Sequence, residues 1–258
     1  MTYSCSAIVS IIVALTAVSL SSIALGLPLW SSSTSFTDAA KDLGVLGNVK
    51  FSVGVWGFCL NADYDIMGGT TKMTLDQCFA FYSPRDVTNA LKINGSAAAV
   101  SMNSSFFDTK QSLCDLSIDG SNMTLLTSFS ATEYSAFMTK TCGSLGKSSL
   151  AFAVLSAGFG ALTLISLLFF ITCCSAKSCF VTMAKVLALL AFISSAVAFG
   201  CWIGQTRDIN RSTTPFSVSF AFEIAATALY LLTFISITIH QKKQDIGGAP
   251  SKGEEASG

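Results

Sequence analysis

Gly54-Val55-Trp56-Gly57-Phe58-Cys59, followed by Cys78, lies in the loop after the first apolar segment of the chain. The stretch pairs a tryptophan with a cysteine three residues on, between glycines that allow tight turns. Its upstream flank alternates: Val49, Phe51, Val53 and Val55 fall on one face at period two. That pattern predicts a strand pair over 45–60 entering a corner at Trp56. A structured loop of this kind decides the fold only once its surroundings are read.

Those surroundings are apolar. Hydrophobic residues make up 51% of the chain and charged residues 12%, with 15 basic and 15 acidic side chains in balance. Such a balance offers no basic field, and nucleic-acid binding is not expected. No charged side chain occurs before Asp38, between Lys147 and Lys177, or between Lys185 and Arg207. From Ser212 to Gln241 the only charge is Glu223. Each interval holds the roughly 20 apolar residues that cross a bilayer core. Spans are predicted at 7–29, 149–173, 186–203 and 216–238, as helices, because hydrocarbon leaves no other partner for backbone amides. The fold class is therefore an α-helical membrane protein, a four-helix transmembrane bundle with a disulfide-linked, partly β extracellular domain in the first loop. The first span also resembles a signal peptide, with Ala24-Leu25-Gly26 as a cleavage site. Its start, Met1–Ser6, has no basic residue, and its apolar stretch is long for such a signal.

Lysines and arginines divide between the two sides and do not fix the orientation. Four N-x-[ST] sequons, at Asn94, Asn103, Asn122 and Asn210, all fall in the loops 30–148 and 204–215. These loops share a side, which the sequons place outside the cytoplasm. The turn 174–185 and the tail 239–258 are then cytoplasmic, as are both termini. The cysteines agree. Cys59, Cys78, Cys114 and Cys142 lie in the long loop, an even number suited to two disulfides in an oxidising compartment. Sequence order favours Cys59–Cys78 and Cys114–Cys142 among three connectivities. Cys173, Cys174 and Cys179 cluster at the opposite membrane face, where they read equally as acylation sites or as free thiols.

Within the bundle, Ser149, Ala153, Ala157 and Ala161 form a small-residue stripe, extended by Ala184 and Ala188 and by Ala221 and Ala225. Such stripes let membrane helices approach closely. A helix is expected over 83–99, and a hairpin turn at Gly68-Gly69. Trp30, Trp56 and Trp202 are expected at the outer interface, where indoles are favoured, with Trp56 wedging the loop domain over the helix ends. Chemistry-bearing residues are sparse. His240 has no second histidine or cysteine cluster beside it, and Asp63 with Asp65 falls short of the six or so oxygens that calcium takes. No catalytic residue, metal or cofactor is expected, and the chain does not read as an enzyme. Glu223 sits about two turns inside the fourth span, where a carboxylate costs on the order of 2–3 kcal/mol unless it is paired. The other spans carry no ionisable group at that depth, which favours a buried polar contact over an ion or proton pathway.

At this point the chain resembles the claudin superfamily, which includes claudins, peripheral myelin protein relatives, calcium-channel gamma subunits and fungal eisosomal four-span proteins. Trp30 at the end of the first span, then Gly54, Trp56, Cys59 and Cys78, match the family's tryptophan and Gly-Leu-Trp-x-x-Cys…Cys pattern in order. Glu223 with Ala228-Leu229-Tyr230 looks like the Glu…Ala-Leu-Tyr pattern of the claudin fourth helix. The resemblance covers the four-span layout and about half the residues. Val55 replaces the leucine, the two cysteines stand further apart than in claudins, and Cys114 and Cys142 are additional. The ending Glu254-Glu255-Ala256-Ser257-Gly258 lacks the hydrophobic terminus that claudins offer to PDZ scaffolds, so no such scaffold is expected. What the resemblance implies is a non-catalytic plasma-membrane protein. It would act in cell–cell adhesion, barrier formation or membrane-domain organisation, associating laterally with itself or with another membrane protein. The alternatives are an auxiliary subunit of a channel or receptor, or a small transport pathway. The segment 31–147 carries ten acids and eight bases, too even a balance to indicate charge selectivity.

Overall fold

The computed structural model describes residues 5–33, 46–66, 71–83, 91–94, 112–115, 130–172, 178–209 and 214–247. Four helices are long and apolar enough to cross a membrane: α1 (Cys5–Gly26), α3 (Ser144–Thr172), α4 (Ser178–Gln205) and α5 (Val218–Gly247). A shorter helix, α2 (Ala131–Cys142), precedes α3. The four long helices pack in the cyclic order α1, α3, α4, α5. Their outward faces carry Ile12, Val154, Ile193, Leu232 and Ile239, all exposed. Apolar side chains around the whole circumference are what a hydrocarbon solvent selects.

The inward faces are small and hydroxyl-bearing. Ala14, Ala17, Ala153, Ala184, Ala188, Ala191 and Ala226 are buried, and so are Ser21, Ser149, Ser156, Ser195 and Thr233. Each neighbouring pair of helices is joined by a hydroxyl. Ser10 pairs with Ser236 between α1 and α5 (2.7 Å), and Ser21 with Ser156 between α1 and α3 (3.2 Å). Ser149 donates to the Ala198 carbonyl between α3 and α4 (3.1 Å), and Ser195 donates to Glu223 between α4 and α5 (2.6 Å). Small residues bring the backbones close, and the hydroxyls find no competing water there. On α5 the packed small residue is Ala226; Ala221 is exposed and Ala225 only half-buried. The stripe expected at 221 and 225 therefore sits off the buried face, which runs through Ser219, Glu223, Ala226, Tyr230, Thr233, Ile237 and His240.

The helices extend beyond the predicted spans. α4 begins at Ser178, ahead of the expected 186, because Lys185 does not end it: the Lys185 Nζ lies 5.7 Å from the centroid of the Phe234 ring of α5. α5 continues to Gly247, well past 238. α3 starts at Ser144 because α2 leads into it across Gly143 alone.

At one end of the bundle sits a five-stranded antiparallel sheet in the order β1-β2-β3-β4-β5. The strands are β1 (Ser31–Ser33), β2 (Leu46–Val53), β3 (Gly57–Ile66), β4 (Thr71–Ala80) and β5 (Leu91–Asn94). The strand pair read from alternation is β2–β3, with Phe51, Val53 and Val55 all buried. β3 and β4 pair from Gly57↔Ala80 to Ile66↔Thr71. The turn expected at Gly68-Gly69 between them lies outside the described residues. Leu91–Asn94 is a strand paired with β4, which overturns the helix expected over 83–99 for this part of it. Sheet pairing along the free side of β4 outweighs a polar composition that carried no strong periodicity.

Two disulfides hold this end together. Cys59 and Cys78 face each other across the β3–β4 ladder, and Cys114 joins Cys142 at the end of α2. α2 starts on a capping box: the Glu133 amide donates to Ser130 Oγ (3.3 Å), and the Ser130 amide donates to the Glu133 carboxylate (2.8 Å). Its far end is held by Tyr82, whose hydroxyl donates to the Thr141 carbonyl (2.7 Å), and by Gln205, whose Nε2 donates to Thr141 Oγ1 (2.6 Å). Lys140 and Asp208 form an ion pair at 2.5 Å, but both are partly exposed, and such pairs contribute little.

Burial pushes the Tyr82 phenol up to about 12, and the Tyr134 phenol rises for the same reason. The fold thus favours the neutral phenol of Tyr82 over its ordinary value of 10.0. That stability is fully present below about pH 10 and is lost as pH climbs through about 12. Melting temperatures of the detergent-solubilised protein should fall across this window, and Tyr82→Phe should shallow the fall.

Candidate functional site

The residues of the tryptophan–cysteine pattern converge where the sheet meets the helix ends. Trp30 is fully buried there and fixed on three sides. Its amide donates to the Val53 carbonyl in β2 (3.0 Å), and its carbonyl accepts from the Ser217 amide just before α5 (3.0 Å). Its indole Nε1 donates to the Ala24 carbonyl in the last turn of α1 (2.7 Å), satisfying one of the carbonyls a helix end leaves free. The neighbouring Leu29 carbonyl accepts from the Ser219 amide (2.9 Å). The ring lies edge-on to Trp202 at 5.5 Å and to Phe220 at 6.1 Å, geometries that aromatic quadrupoles favour.

Sheet and bundle share one apolar core at this joint. Phe51, Val53, Val55, Phe58, Leu60, Phe79 and Phe81 from the sheet side meet Phe137 of α2, Ala153 of α3, Ala198 and Trp202 of α4, and Phe220 of α5. Phe137 bridges the two sides, 6.1 Å from Phe81 and 6.4 Å from Trp202. The glycines of the motif permit the close approach. A Cβ on Gly54 would stand 2.8 Å from Pro28 Cα, and one on Gly57 would collide with the Phe79 carbonyl oxygen. Trp56 anchors by its backbone, its carbonyl accepting from the Phe81 amide (2.9 Å), while its ring is only half-buried. The wedge expected of Trp56 is therefore supplied by Trp30 and Trp202. Those two indoles are interior groups: the sheet covers the level at which an uncovered indole would meet the interface.

The remaining sequence-derived positions scatter. Asn94 ends β5, and Asn103, Asn122 and Asn210 lie outside the described residues, as do Cys173 and Cys174. Cys179 is exposed in the first turn of α4, at the end of the bundle away from the sheet. Asp63 and Asp65 are on β3. Among the described residues no group of three or more histidine, cysteine or acidic side chains is placed to hold a metal ion. His240 is buried against Phe170, with ring centroids 6.0 Å apart.

Glu223 is fully buried on the inner face of α5. Oε1 accepts from Ser195 Oγ of α4 (2.6 Å), and Ser195 Oγ also lies 2.6 Å from Thr227 Oγ1. Thr227 donates to the Glu223 backbone carbonyl (2.8 Å). Tyr230, two turns on, packs against Gly160 of α3, where a Cβ would collide with its ring. Ser195 and Thr227 thus tie Glu223 into one hydroxyl network between α4 and α5. The sequence singled out Glu223 by its depth; its partners are hydroxyls of a kind found throughout the chain, and no sequence signal marks which of them turn inward.

Comparison with protein-family profiles and with curated proteins finds no match to this chain.

Trp30→Ala should lower stability by about 3–5 kcal/mol, the usual range for emptying a buried aromatic site; chemical denaturation in micelles would measure it. Glu223→Gln keeps an acceptor for Ser195 and should leave surface delivery near wild type. Glu223→Leu removes the carboxyl acceptor of Ser195 and leaves that hydroxyl only Thr227 and the residue-223 carbonyl; losing this bond should cost about 1 kcal/mol, visible as reduced surface yield by biotinylation of intact cells.

Proposed function

We propose that this is a claudin-like multi-pass protein of the plasma membrane, non-catalytic, acting in cell–cell adhesion, barrier formation or membrane-domain organisation. In this reading the sheet is extracellular and the ends of α1 and α5 remote from it are cytoplasmic. The observation that carries the reading is the joint itself. A sheet that shares its core with four helix ends is a rigid platform, and rigid presentation lowers the entropy cost of making contacts across an intercellular gap. Two disulfides in that platform suit an oxidising exterior. The apolar circumference of the bundle leaves room for lateral self-association within the bilayer.

Expression in cells that lack junctions tests this directly. Enrichment at cell–cell contacts, aggregation in suspension and intramembrane strands after freeze-fracture would support it. Diffuse distribution with stoichiometric co-purification of one larger membrane protein would replace it with the auxiliary-subunit reading. A sheet domain inaccessible to antibody on intact cells would overturn the orientation.

A further inference from the structure

Lys185 carries a charge that the neighbouring helices do not balance. It stands seven residues (185 less 178), about 10 Å, inside α4 and within the span from Cys179 to Gln205. Its Nζ lies 5.7 Å from the centroid of the Phe234 ring on α5. Neither α1, α3 nor α4 contains an aspartate or a glutamate, and nor do residues 1–4 and 173–177 at the same end of the bundle. α5 contains two acids, Glu223 eleven residues before Phe234 (234 less 223) and Asp245 eleven after it (245 less 234). Each stands about 16 Å along the helix from the ring beside the ammonium, too far for an ion pair. Glu254 and Glu255 follow only beyond the end of α5. An aromatic face offsets only part of what a cation costs in apolar surroundings.

The crevice beside this ammonium has polar walls and a second cation. Phe234, Thr238 and Lys242 recur at i, i+4 and i+8 and so share one stripe of α5. Thr182, one turn before Lys185 on α4, meets Gln241 of α5 at 3.5 Å, an exposed contact at the long limit of a hydrogen bond. Lys242 is exposed. On either side the surface is apolar: Met183 and Val186 of α4 and Ile235 and Ile239 of α5 are all exposed. A soluble anion gains nothing from such flanks, whereas a phospholipid brings its phosphate with acyl chains that cover them. Basic pockets between membrane helices hold headgroups in this way. Two ammonium groups select a headgroup with net negative charge, because a choline cancels the charge of its own phosphate.

We infer that the crevice between α4 and α5, at the end of the bundle remote from the sheet, seats one anionic phospholipid, its phosphate held by Lys185 and Lys242 beside Thr182 and Gln241. The lipid supplies the counter-charge of Lys185 and ties the two helices together at that end. The site stands apart from the adhesive reading, since it uses no residue of the sheet.

The test is thermal unfolding of the purified full-length protein in nanodiscs of phosphatidylcholine with an increasing fraction of phosphatidylglycerol. A ligand bound only by the folded state raises the melting temperature with its concentration, so the rise should saturate. Lys185→Met keeps an unbranched stem and removes the charge, and should melt no lower than wild type in pure phosphatidylcholine. It should need about tenfold more phosphatidylglycerol, the scale of one lost charge-assisted contact, so the fraction that half-saturates the wild type leaves it nearly unshifted. Lys147→Met, exposed at the opposite end of the bundle, reports the general effect of a charged bilayer and should keep the wild-type rise. Wild-type melting indifferent to phosphatidylglycerol would overturn the site, as would equal dependence in Lys185→Met or loss of the rise in Lys147→Met. Inorganic phosphate added to phosphatidylcholine discs should leave melting unchanged; a saturable rise there would make the ligand a soluble anion and overturn the lipid seat.

Discussion

The whole arrangement depends on Trp30 being held from three directions at once. Its amide belongs to the sheet, its carbonyl to the start of α5, and its indole nitrogen to the end of α1. None of these bonds is unusual alone, each being worth about 1 kcal/mol. Their convergence on one residue, with the ring packed on Trp202 and Phe220, leaves the sheet a single orientation on the helices. A connection of two flexible residues would let the sheet pivot. Here Leu29 and Trp30 are themselves part of the hydrogen-bonded framework, so the loop domain and the bundle behave as one body.

Below that joint the bundle is held by a different currency. Lipid tails are as apolar as leucine, so burial of apolar area does not drive helices together in a membrane; close packing and interhelical hydrogen bonds do. Alanines at the inner faces set the approach, and one hydroxyl contact per helix pair fixes rotation. Glu223 differs in drawing two hydroxyls, Ser195 and Thr227, into one network between α4 and α5.

The four spans were legible because hydrocarbon excludes charge, and the intervals without Lys, Arg, Asp or Glu are unmistakable. Their lengths were not, because a lysine such as Lys185 can lie along a neighbouring helix and release its head at the end of a flexible stem. The β2–β3 corner was legible from alternation ending in glycines. β1, only three residues of serine, owes its pairing to its position after Trp30 and carries no pattern of its own. α2 carried a readable signal, Ser130 three residues before Glu133, the capping box that starts it; its apolar face, Tyr134 and Phe137, was too short to stand out. The tryptophans were read as interfacial because sequence gives depth along a span but not what covers it. Glu223's depth was readable; the identity of its partners depended on helix rotation, which only packing decides.

The hydrogen bond from the Ser219 amide to the Leu29 carbonyl joins residues 190 positions apart, 219 less 29. A ribosome adding about 5–20 residues per second needs roughly 10–40 s to make the second partner after the first. During that time the first helix end carries a tryptophan whose carbonyl has no partner, and a sheet with no platform beneath it. The joint is therefore the last part of the molecule to close. A chain that ends before Ser217 lacks the partners of both the Leu29 and the Trp30 carbonyls, so the sheet and the first helix end then meet without the bonds that orient them.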